Sequence, residues 1–305
     1  MKLVNENIAI LGHSGFVGKA LLREIPLAKG ISLRDIAWKS QITDAKVIIN
    51  LVGKAHDHKS EAAEVDYYTV NVDLTKAIFQ AFIDSSASLL IHISSLAALE
   101  EFESVDALEE FHPCNPVSWY GKSKRAAEEW LLSQELPHGK KLFIVRPPMI
   151  HGSGDKGNLG LLYKLIAKGI PYPLSSFDNK RSFISIDNFT FFIEQIIEQE
   201  QKLRSGIYHV SDDEPLSTKE IIKIIKNLTG KKTPDIALPK SFVKAIAKIG
   251  DILPIPLNSK RLKKMTGVLL ISNKKIKQEL GIVKLPYSAY DGMKKTIASF
   301  IDQGK

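Results

Sequence analysis

NIAILGHSGFVG, residues 7–18, is the stretch that decides the fold. Its apolar run is followed at once by three glycines with the spacing G-x-x-G-x-x-G, and apolar residues at helical spacing continue to Ile25. A short, wholly apolar run bounded by glycine is typical of a buried strand. In such a strand–turn–helix the first glycine allows the tight turn, and the last allows the helix to pack closely on the strand. The segment therefore predicts the start of a parallel α/β sheet.

The middle glycine and the start of the helix predict a site for a pyrophosphate. A residue without a side chain lets the backbone approach a phosphate, and the free N–H groups at a helix N-terminus bind anions. A purely structural turn is the alternative interpretation. The residues predicted to bind a dinucleotide cofactor here are Gly12, Ser14, Gly15, Phe16, Val17 and Gly18.

Strands and helices alternate through the first half of the chain. Strands that are apolar throughout are typical of a parallel sheet covered on both faces. We therefore expect an α/β fold over residues 1–150, a Rossmann-type doubly wound parallel sheet. Further strands are predicted at 31–33, 47–52, 89–93 and 141–145, and helices at 65–83 and 118–132.

The character of the sequence changes after residue 150, where glycine and proline become frequent. Residues 151–305 are predicted to form a smaller, mostly helical C-terminal substrate lobe, and 187–210 is a segment that could return to the first domain. Short helices are predicted at 187–200, 217–229, 241–250 and 289–301.

Composition and charge narrow the class of protein. The 305 residues carry a net charge of +8, and residues 219–305 hold 19 Lys/Arg against 6 Asp/Glu. A basic C-terminal part suits an anionic partner or is simply a solvated lysine-rich surface. The basic amphipathic stretch 242–249 either packs on its own lobe or contacts a membrane surface. No nucleic-acid motif, metal-ligand cluster or bilayer-spanning run is present in the sequence, and a cytoplasmic location is expected.

Tyr120 and Lys124 form the pattern Y-x-x-x-K near the start of a predicted helix. Residues four apart share one helix face, so the ammonium of Lys124 is expected to lower the pKa of the Tyr120 phenol towards the range of a general acid/base. Ser95 follows a predicted central strand, at the sheet edge where ligands bind in doubly wound folds. Its hydroxyl is predicted to hold a substrate oxygen. Ser95, Tyr120 and Lys124 are thus the predicted catalytic residues.

Together these motifs resemble the extended short-chain dehydrogenase/reductase superfamily and its NAD-dependent epimerase/dehydratase family, over nearly the whole chain. Three further segments resemble family motifs: 51–56 after the central strand, Asn71 to Thr75 with N-x-x-x-T, and 146–152 with R-P-x-x-x-x-G. The resemblance implies more cofactor contacts, from Leu51, Val52, Gly53, Asn71, Tyr120, Lys124 and Pro147. It implies that Asn158 and Arg181 meet the diphosphate of a sugar nucleotide, with Asp187 as a structural partner.

Within the family the chain looks closest to the sugar-nucleotide 4-epimerase and 4-keto-reductase group of capsule and O-antigen synthesis. The resemblance implies an enzyme that reduces the C4 ketone of a UDP-4-keto-6-deoxy-N-acetylhexosamine. A UDP-sugar 4-epimerase is the alternative, and a non-catalytic dinucleotide-binding protein is the alternative of another class. A homodimer through the Tyr120 helix and the 65–83 helix is also implied.

Two departures from the family pattern stand out. Only 26 residues separate Gly18 from Asp44, which leaves room for one strand and a connection, so part of the adenosine-side wall is expected to be abbreviated. Arg34 and Asp35 follow the predicted second strand, and Arg34 favours NADP(H) slightly over NAD(H). Residues 96–97, Leu-Ala, stand where the dehydratase branch carries an Asp-Glu pair, which argues against a 4,6-dehydratase.

Overall fold

Six parallel strands form the central sheet of the protein, in the order β2-β1-β3-β4-β5-β8. The computed structural model describes residues 7–55, 63–155, 157–231, 234, 236–253 and 257–303. The strands are β1 (Ile8–Leu11), β2 (Ala28–Ile31), β3 (Val47–Asn50), β4 (Leu89–Ile93), β5 (Lys141–Arg146), β6 (Met149–His151), β7 (Phe183–Ser185) and β8 (Gly206–His209). This sheet confirms the predicted Rossmann-type α/β fold.

Helices cover both faces of the sheet, because every central strand is apolar on both sides. One face packs on α1, α7 and α11, and the other packs on α4 and α5. The helices are α1 (Phe16–Glu24), α2 (Trp38–Gln41), α3 (Glu64–Tyr68), α4 (Leu74–Asp84), α5 (Trp119–Leu132), α6 (Asn158–Ala167), α7 (Ile186–Glu198), α8 (Thr218–Thr229), α9 (Lys240–Ile249), α10 (Ser259–Thr266), α11 (Lys274–Leu280) and α12 (Ala289–Gln303).

The connection between α1 and β3 is as short as its length predicted, with one strand and the single-turn helix α2. The predicted position of that strand is wrong, since β2 spans Ala28–Ile31 instead of 31–33. Lys29 and Gly30 are poor strand formers, but β2 pairs in register with β1, from Ile8 opposite Ala28 to Leu11 opposite Ile31. Backbone pairing here overrides local propensity.

The residues after 150 contribute to two regions. β8 pairs with β5 in the main sheet, and α7 packs on that sheet. The parallel pair β6–β7 and the helices α6, α8 and α12 surround a second core. A smaller cluster joins α9 to α10. None of the helices in the described ranges combines the length and apolar character that a bilayer crossing needs.

Candidate active site

The glycine loop between β1 and α1 requires glycine at its first and last positions. Gly12 has a φ of +84°, and a Cβ there would lie 3.0 Å from the carbonyl carbon of Leu51. A Cβ on Gly18 would lie 2.5 Å from the Cα of His13. The first glycine therefore permits the turn, and the last permits α1 to pack against the loop.

The N-terminus of α1 is open to an anion. Gly15 is the N-cap, no side chain caps the helix, and the first turn holds no acidic residue. A Cβ on Gly15 would meet only the Gly12 oxygen, at an ordinary 3.5 Å, and Ser14 beside it is exposed. Uncapped N–H groups and the helix dipole favour a negative charge here. Among the residues predicted for a dinucleotide, those of this loop therefore fit its pyrophosphate.

The loop after β3 lies against the predicted catalytic lysine. A Cβ on Gly53 would be 3.1 Å from Nζ of Lys124 and 3.3 Å from Oδ1 of Asn71. The Asn71 amide is fully buried; it accepts from the Lys54 N–H at 2.7 Å and donates to the Lys54 carbonyl and the Ser123 hydroxyl. Asn71 thus ties this loop to α5. Leu51 and Val52 lie half-buried at the start of the same loop.

Asn71 lies in a π-helical turn, Thr69–Asp73, between α3 and α4. The sequence predicted a single helix over 65–83, and the apolar spacing gave no sign of the wider turn. Such π turns are often found at functional sites. Here the turn is accompanied by a buried asparagine whose side chain bonds both neighbouring segments.

Ser95 directly follows β4 at the carboxyl end of the sheet. Its hydroxyl caps the short 3₁₀ turn Leu96–Ala98, accepting from the N–H of Ala97 at 3.1 Å. The same hydroxyl lies near the phenol of Tyr120 and lowers the pKa of that phenol. The structure therefore brings together the predicted serine and tyrosine, from separate elements.

Tyr120 lies in the first turn of α5, which Ser118 caps by accepting from the Gly121 N–H at 3.0 Å. Glu101, which sequence reasoning missed, is buried beside this turn and accepts from the N–H groups of Val117 at 3.0 Å and Ser118 at 2.7 Å. Burial raises the pKa of Tyr120, the nearby Ser95 hydroxyl lowers it, and the Glu101 carboxylate raises it, with a net upward shift. The fold without ligand thus keeps the phenol protonated.

Lys124 is buried one turn further along α5, and its ammonium donates to the Ile93 carbonyl at 2.9 Å. Burial lowers the pKa of Lys124 to about 8, against the opposing effect of the Glu128 carboxylate. The sequence predicted that Lys124 lowers the pKa of Tyr120, whereas the net shift of the tyrosine is upward and is governed by burial. Burial of the phenol and the Glu101 carboxylate outweigh the opposing effect of Ser95.

A buried polar cluster, also missed from sequence, supports this edge of the sheet. Arg146 donates to Glu128 through Nε at 2.8 Å and Nη2 at 2.6 Å, and Ser94 donates to the same carboxylate at 2.5 Å. Pro147 follows Arg146, and its carbonyl accepts from the Leu96 N–H at 2.8 Å. The cluster joins β4, β5 and α5 just behind the predicted catalytic residues. Its members lie far apart in sequence, so no local pattern reveals it.

The apolar turn after Ser95 packs into the C-terminal lobe. Leu96 and Leu99 are buried in a cluster with Leu269 and Ile271. A dehydratase would carry its Asp-Glu pair at positions 96 and 97. Here Leu96 is instead held in an apolar cluster. The next carboxylate in this loop is Glu100, which accepts from the N–H groups of the two residues that follow it.

The guanidinium of Arg181 donates hydrogen bonds to four backbone carbonyls. Nη1 donates to the carbonyls of Phe102 at 3.3 Å, Lys264 at 3.1 Å and Gly267 at 3.5 Å, and Nη2 donates to that of Glu101 at 3.4 Å. The side chain therefore joins the Glu101 loop to the C-terminal end of α10. The predicted contact of Arg181 with a diphosphate stays a prediction.

Asn158 begins α6, and its side chain lies outside the part of the chain that the structure describes. Asp187, the predicted structural partner, forms an ion pair with Lys295 of α12 at 2.7 Å. The predicted family glycine at 152 is explained by packing, because a Cβ there would be 2.4 Å from Ile186 and 3.2 Å from Phe16. Gly152 therefore lets the segment after β6 approach α1 and the start of α7.

The segment after β2 is the one predicted to face the adenosine of a dinucleotide. Asp35 accepts from the Ala37 N–H at 2.9 Å and from Gln41 at 2.6 Å, while Arg34 is exposed. The His13 ring lies on Gly30, where a Cβ would be 2.6 Å away, and its Nδ1 is 3.2 Å from the Ile31 carbonyl. Arg34 and Asp35 are both exposed, and the Asp35 carboxylate is engaged in local hydrogen bonds.

Residues 30–211 match the model of the NAD dependent epimerase/dehydratase family. The chain is 26% identical to a UDP-glucose 4-epimerase of Vibrio cholerae, covering 97% of this chain and 96% of that protein. It is also 26% identical to an N-acetyl-alpha-D-glucosaminyl-diphospho-ditrans,octacis-undecaprenol 4-epimerase of Escherichia coli, covering 96% and 95%.

Solved structures show the same fold. A UDP-glucuronic acid 4-epimerase of Bacillus cereus in complex with NAD superposes with a TM-score of 0.76 at 16% identity, covering 98% of this chain and 99% of that one. RMD from Pseudomonas aeruginosa complexed with NADPH gives a TM-score of 0.72 at 17% identity, covering 98% of each chain. With a family match over more than half of its residues, the chain belongs to the NAD dependent epimerase/dehydratase family of enzymes.

Proposed function

We propose that this protein is a nicotinamide-dependent 4-epimerase of a UDP-linked hexose or N-acetylhexosamine. The observation that carries the proposal is that Ser95 lies near Tyr120, one turn from Lys124, at the carboxyl edge of a sheet that begins with the glycine loop. Two relatives that match almost from end to end are named 4-epimerases, which supports chemistry at C4.

In the proposed reaction Tyr120 transfers the proton of the C4 oxygen, and Ser95 holds that oxygen by a hydrogen bond. When bound, the nicotinamide supplies a hydride acceptor and donor at C4. Tyr120 takes the hydroxyl proton as a base during oxidation and returns it as an acid during reduction. Ser95 hydrogen bonds the same oxygen, and Lys124 places a buried cation near the phenol and the cofactor ribose.

Because the pKa of Tyr120 is raised in the free protein, binding of substrate and cofactor must lower it before Tyr120 can act as a base. Burial holds the phenol protonated in the free protein, so the oxidising half-reaction requires that the pKa fall when the site fills. Lys124 is placed for this, because its ammonium now donates to the Ile93 carbonyl and can turn to a ligand oxygen. A positive charge on the bound nicotinamide would lower the phenol pKa further.

A second candidate is reduction of a UDP-4-keto-6-deoxy-N-acetylhexosamine, with Tyr120 as the proton donor. The abbreviated connection between α1 and β3 favours it, because fewer adenosine contacts ease the exchange of cofactor that a reductase needs in each cycle. A relative from Stigmatella aurantiaca, 23% identical over 80% of this chain, is named a 4-hydroxy-2-methyl-3-oxo-4-farnesyl-3,4-dihydroquinoline-1-oxide ketoreductase, which supports ketone reduction but not a sugar substrate. We also propose NADP(H) as the preferred cofactor of such a reductase, since Arg34 is exposed where a 2′-phosphate would lie.

We propose a homodimer through α5 and the helices at 64–84, in the cytoplasm. Exposed apolar side chains on these elements, Val65 and Leu132, would be covered by the partner. Sedimentation of the purified protein tests the dimer, and Val65→Glu is expected to weaken it.

The test of function separates the candidates by their redox balance. UDP-glucose and UDP-N-acetylglucosamine are incubated with the protein and NAD, and the products are resolved by chromatography of the intact sugar nucleotides. Formation of the C4 epimer without net change in absorbance at 340 nm, abolished by Tyr120→Phe, supports the epimerase.

The reductase arm uses a UDP-4-keto-6-deoxy-N-acetylhexosamine with NADPH or NADH. Stoichiometric loss of reduced cofactor with no epimerisation of UDP-sugars would replace the first proposal with the second. Binding of dinucleotide without turnover in either arm would instead indicate the non-catalytic class, and an epimer formed at the same rate by Tyr120→Phe would overturn the assigned base.

A further inference from the structure

Helix α9 has one face in the core of its lobe and one face in solvent, and both carry apolar residues. Val243 and Ala247 are buried against Leu174 and Leu262. Phe242 and Ile249 are 54% and 51% exposed on the other side. A helix that only packs on its own lobe needs a single apolar stripe. The outer residues are therefore left unexplained by folding.

The exposed apolar residues of this region form one continuous strip. Successive helix residues turn by about 100°, so Phe242, Ala245 and Ile249 lie within about 60° of one another around the axis. Ile252 and Leu253, just beyond the end of the helix, are 85% and 53% exposed and extend the strip. We name these five residues the α9 strip.

Lysines border the α9 strip. Lys244 and Lys248 are exposed beside it, four residues apart, and no ion pair involves either of them within the described ranges. Like charges at this spacing destabilise a helix slightly. Residues 240–266 contain seven Lys/Arg and one Asp/Glu, and the carboxylate of that one, Asp251, bonds the N–H and hydroxyl of Ser259.

We propose that the α9 strip and its lysines dock this protein peripherally on anionic lipid bilayers. Apolar side chains flanked by lysines, on a helix too short to cross a membrane, have the chemistry of an interfacial helix. Charge complementarity selects an anionic surface, because an uncompensated lysine near such a surface is attracted to it while the apolar residues enter the headgroup region. A second copy of this chain would bring like charges together.

The docked face lies one helix away from the candidate active site. α9 packs on α10, and the C-terminal end of α10 offers the Lys264 and Gly267 carbonyls to Arg181. Arg181 in turn holds the segment at Glu101, which lies beside Tyr120. Docking through α9 would therefore hold the site next to the lipid surface without covering it.

The experiment is co-sedimentation of the full chain with vesicles of phosphatidylcholine alone or containing phosphatidylglycerol. We expect the wild type to sediment with the anionic vesicles at low ionic strength and to be released as salt is raised. The double variant Lys248→Glu with Ile249→Ser removes one lysine and one apolar anchor, and we expect it to bind at least about tenfold more weakly.

A matched control makes the same chemical change elsewhere. Val283 is 92% exposed and precedes the exposed Lys284, so Val283→Ser with Lys284→Glu makes the same change in net charge and also removes an exposed β-branched apolar side chain. This control is expected to bind vesicles like the wild type. Circular dichroism and the thermal midpoint verify that both variants fold.

Three results would overturn the proposal: no sedimentation of wild type with anionic vesicles, equal weakening by the control, or equal binding to neutral vesicles. Self-association that the α9 variant alone abolishes would show that a second copy covers the strip instead. The measurement needs no sugar substrate, so its outcome is independent of the proposed epimerase activity.

Discussion

Arg146 and Glu128 form a two-pronged ion pair between β5 and α5, with both side chains completely shielded from solvent. The Glu128 carboxylate also accepts the Ser94 hydroxyl and faces Lys124. Arg125 also lies 3.6 Å from the Glu128 carboxylate, which thus interacts with three cations and a hydroxyl behind the candidate active site. The stability of that site depends on it.

Removal of Glu128 is expected to be costly. Glu128→Ala leaves the buried Arg146 without its counter-charge, and the free energy of unfolding should fall by about 3–5 kcal/mol. Glu129→Ala is the neighbouring control; it removes only the surface pair with Arg125, for which a loss below about 1 kcal/mol is expected. Urea denaturation measures both, and similar small losses in the two variants would contradict the assignment.

Lys124 should make the stability of the ligand-free protein depend on pH in the alkaline range. Burial lowers its pKa from 10.5 to about 8, so between these values the unfolded chain binds a proton that the folded chain does not. The cost of the buried cation is therefore present below pH 8, and the free energy of unfolding rises as pH increases towards 10.5, by about 3 kcal/mol at most.

The Lys124→Met variant tests this linkage, because it cannot bind that proton. The stability of wild type relative to Lys124→Met should increase with pH across the same window. A constant difference would mean that Lys124 keeps its ordinary pKa in the fold, and a falling difference would mean that the fold raises that pKa.

Glu101→Gln should shift the pH dependence of oxidation without displacing Tyr120. The glutamine oxygen can still accept the N–H groups of Val117 and Ser118, but the negative charge that raises the pKa of Tyr120 is gone. The acid limb of kcat/KM for the oxidising direction is therefore expected to move to lower pH. Glu101→Leu loses both hydrogen bonds and should reduce kcat as well. An unmoved limb in the glutamine variant would exclude the electrostatic role.

Arg181→Lys separates two roles of the same residue. If Arg181 chiefly holds the Glu101 loop through its four carbonyl contacts, lysine cannot reproduce the fork, and kcat should fall by about tenfold or more with little change in KM. A rise in KM for the sugar nucleotide at constant kcat would instead support the diphosphate contact implied by family resemblance. Steady-state kinetics with a fixed saturating dinucleotide distinguish the two.

The sequence predicted those features that depend on local spacing. The glycine loop, the strand ending before Ser95 and the helix carrying Tyr120 and Lys124 all lie where periodicity placed them. It misplaced β2, because Lys29 and Gly30 gain their strand conformation only by pairing with β1. It missed Glu101, because the contact of that carboxylate with α5 crosses 16 residues of loop.

The upward shift in the pKa of Tyr120 could not be predicted from the Y-x-x-x-K spacing for a related reason. Spacing places a cation near the phenol, but desolvation depends on what packs around both groups, which only the folded structure shows. The same holds for Arg181, whose guanidinium meets carbonyls from segments about eighty residues away on either side.

The abbreviated connection after α1 has a consequence for self-association. With no strand beyond it among the described residues, β2 ends the sheet and presents unpaired backbone groups to solvent. An exposed edge strand of this kind can pair with strands of other chains, which leads to aggregation. The four residues of β2 are a short template, and they contain an exposed lysine and a glycine, which disfavour strand addition. Replacing Lys29 and Gly30 by β-branched residues would therefore remove this protection and make the edge strand β2 a nucleus for aggregation.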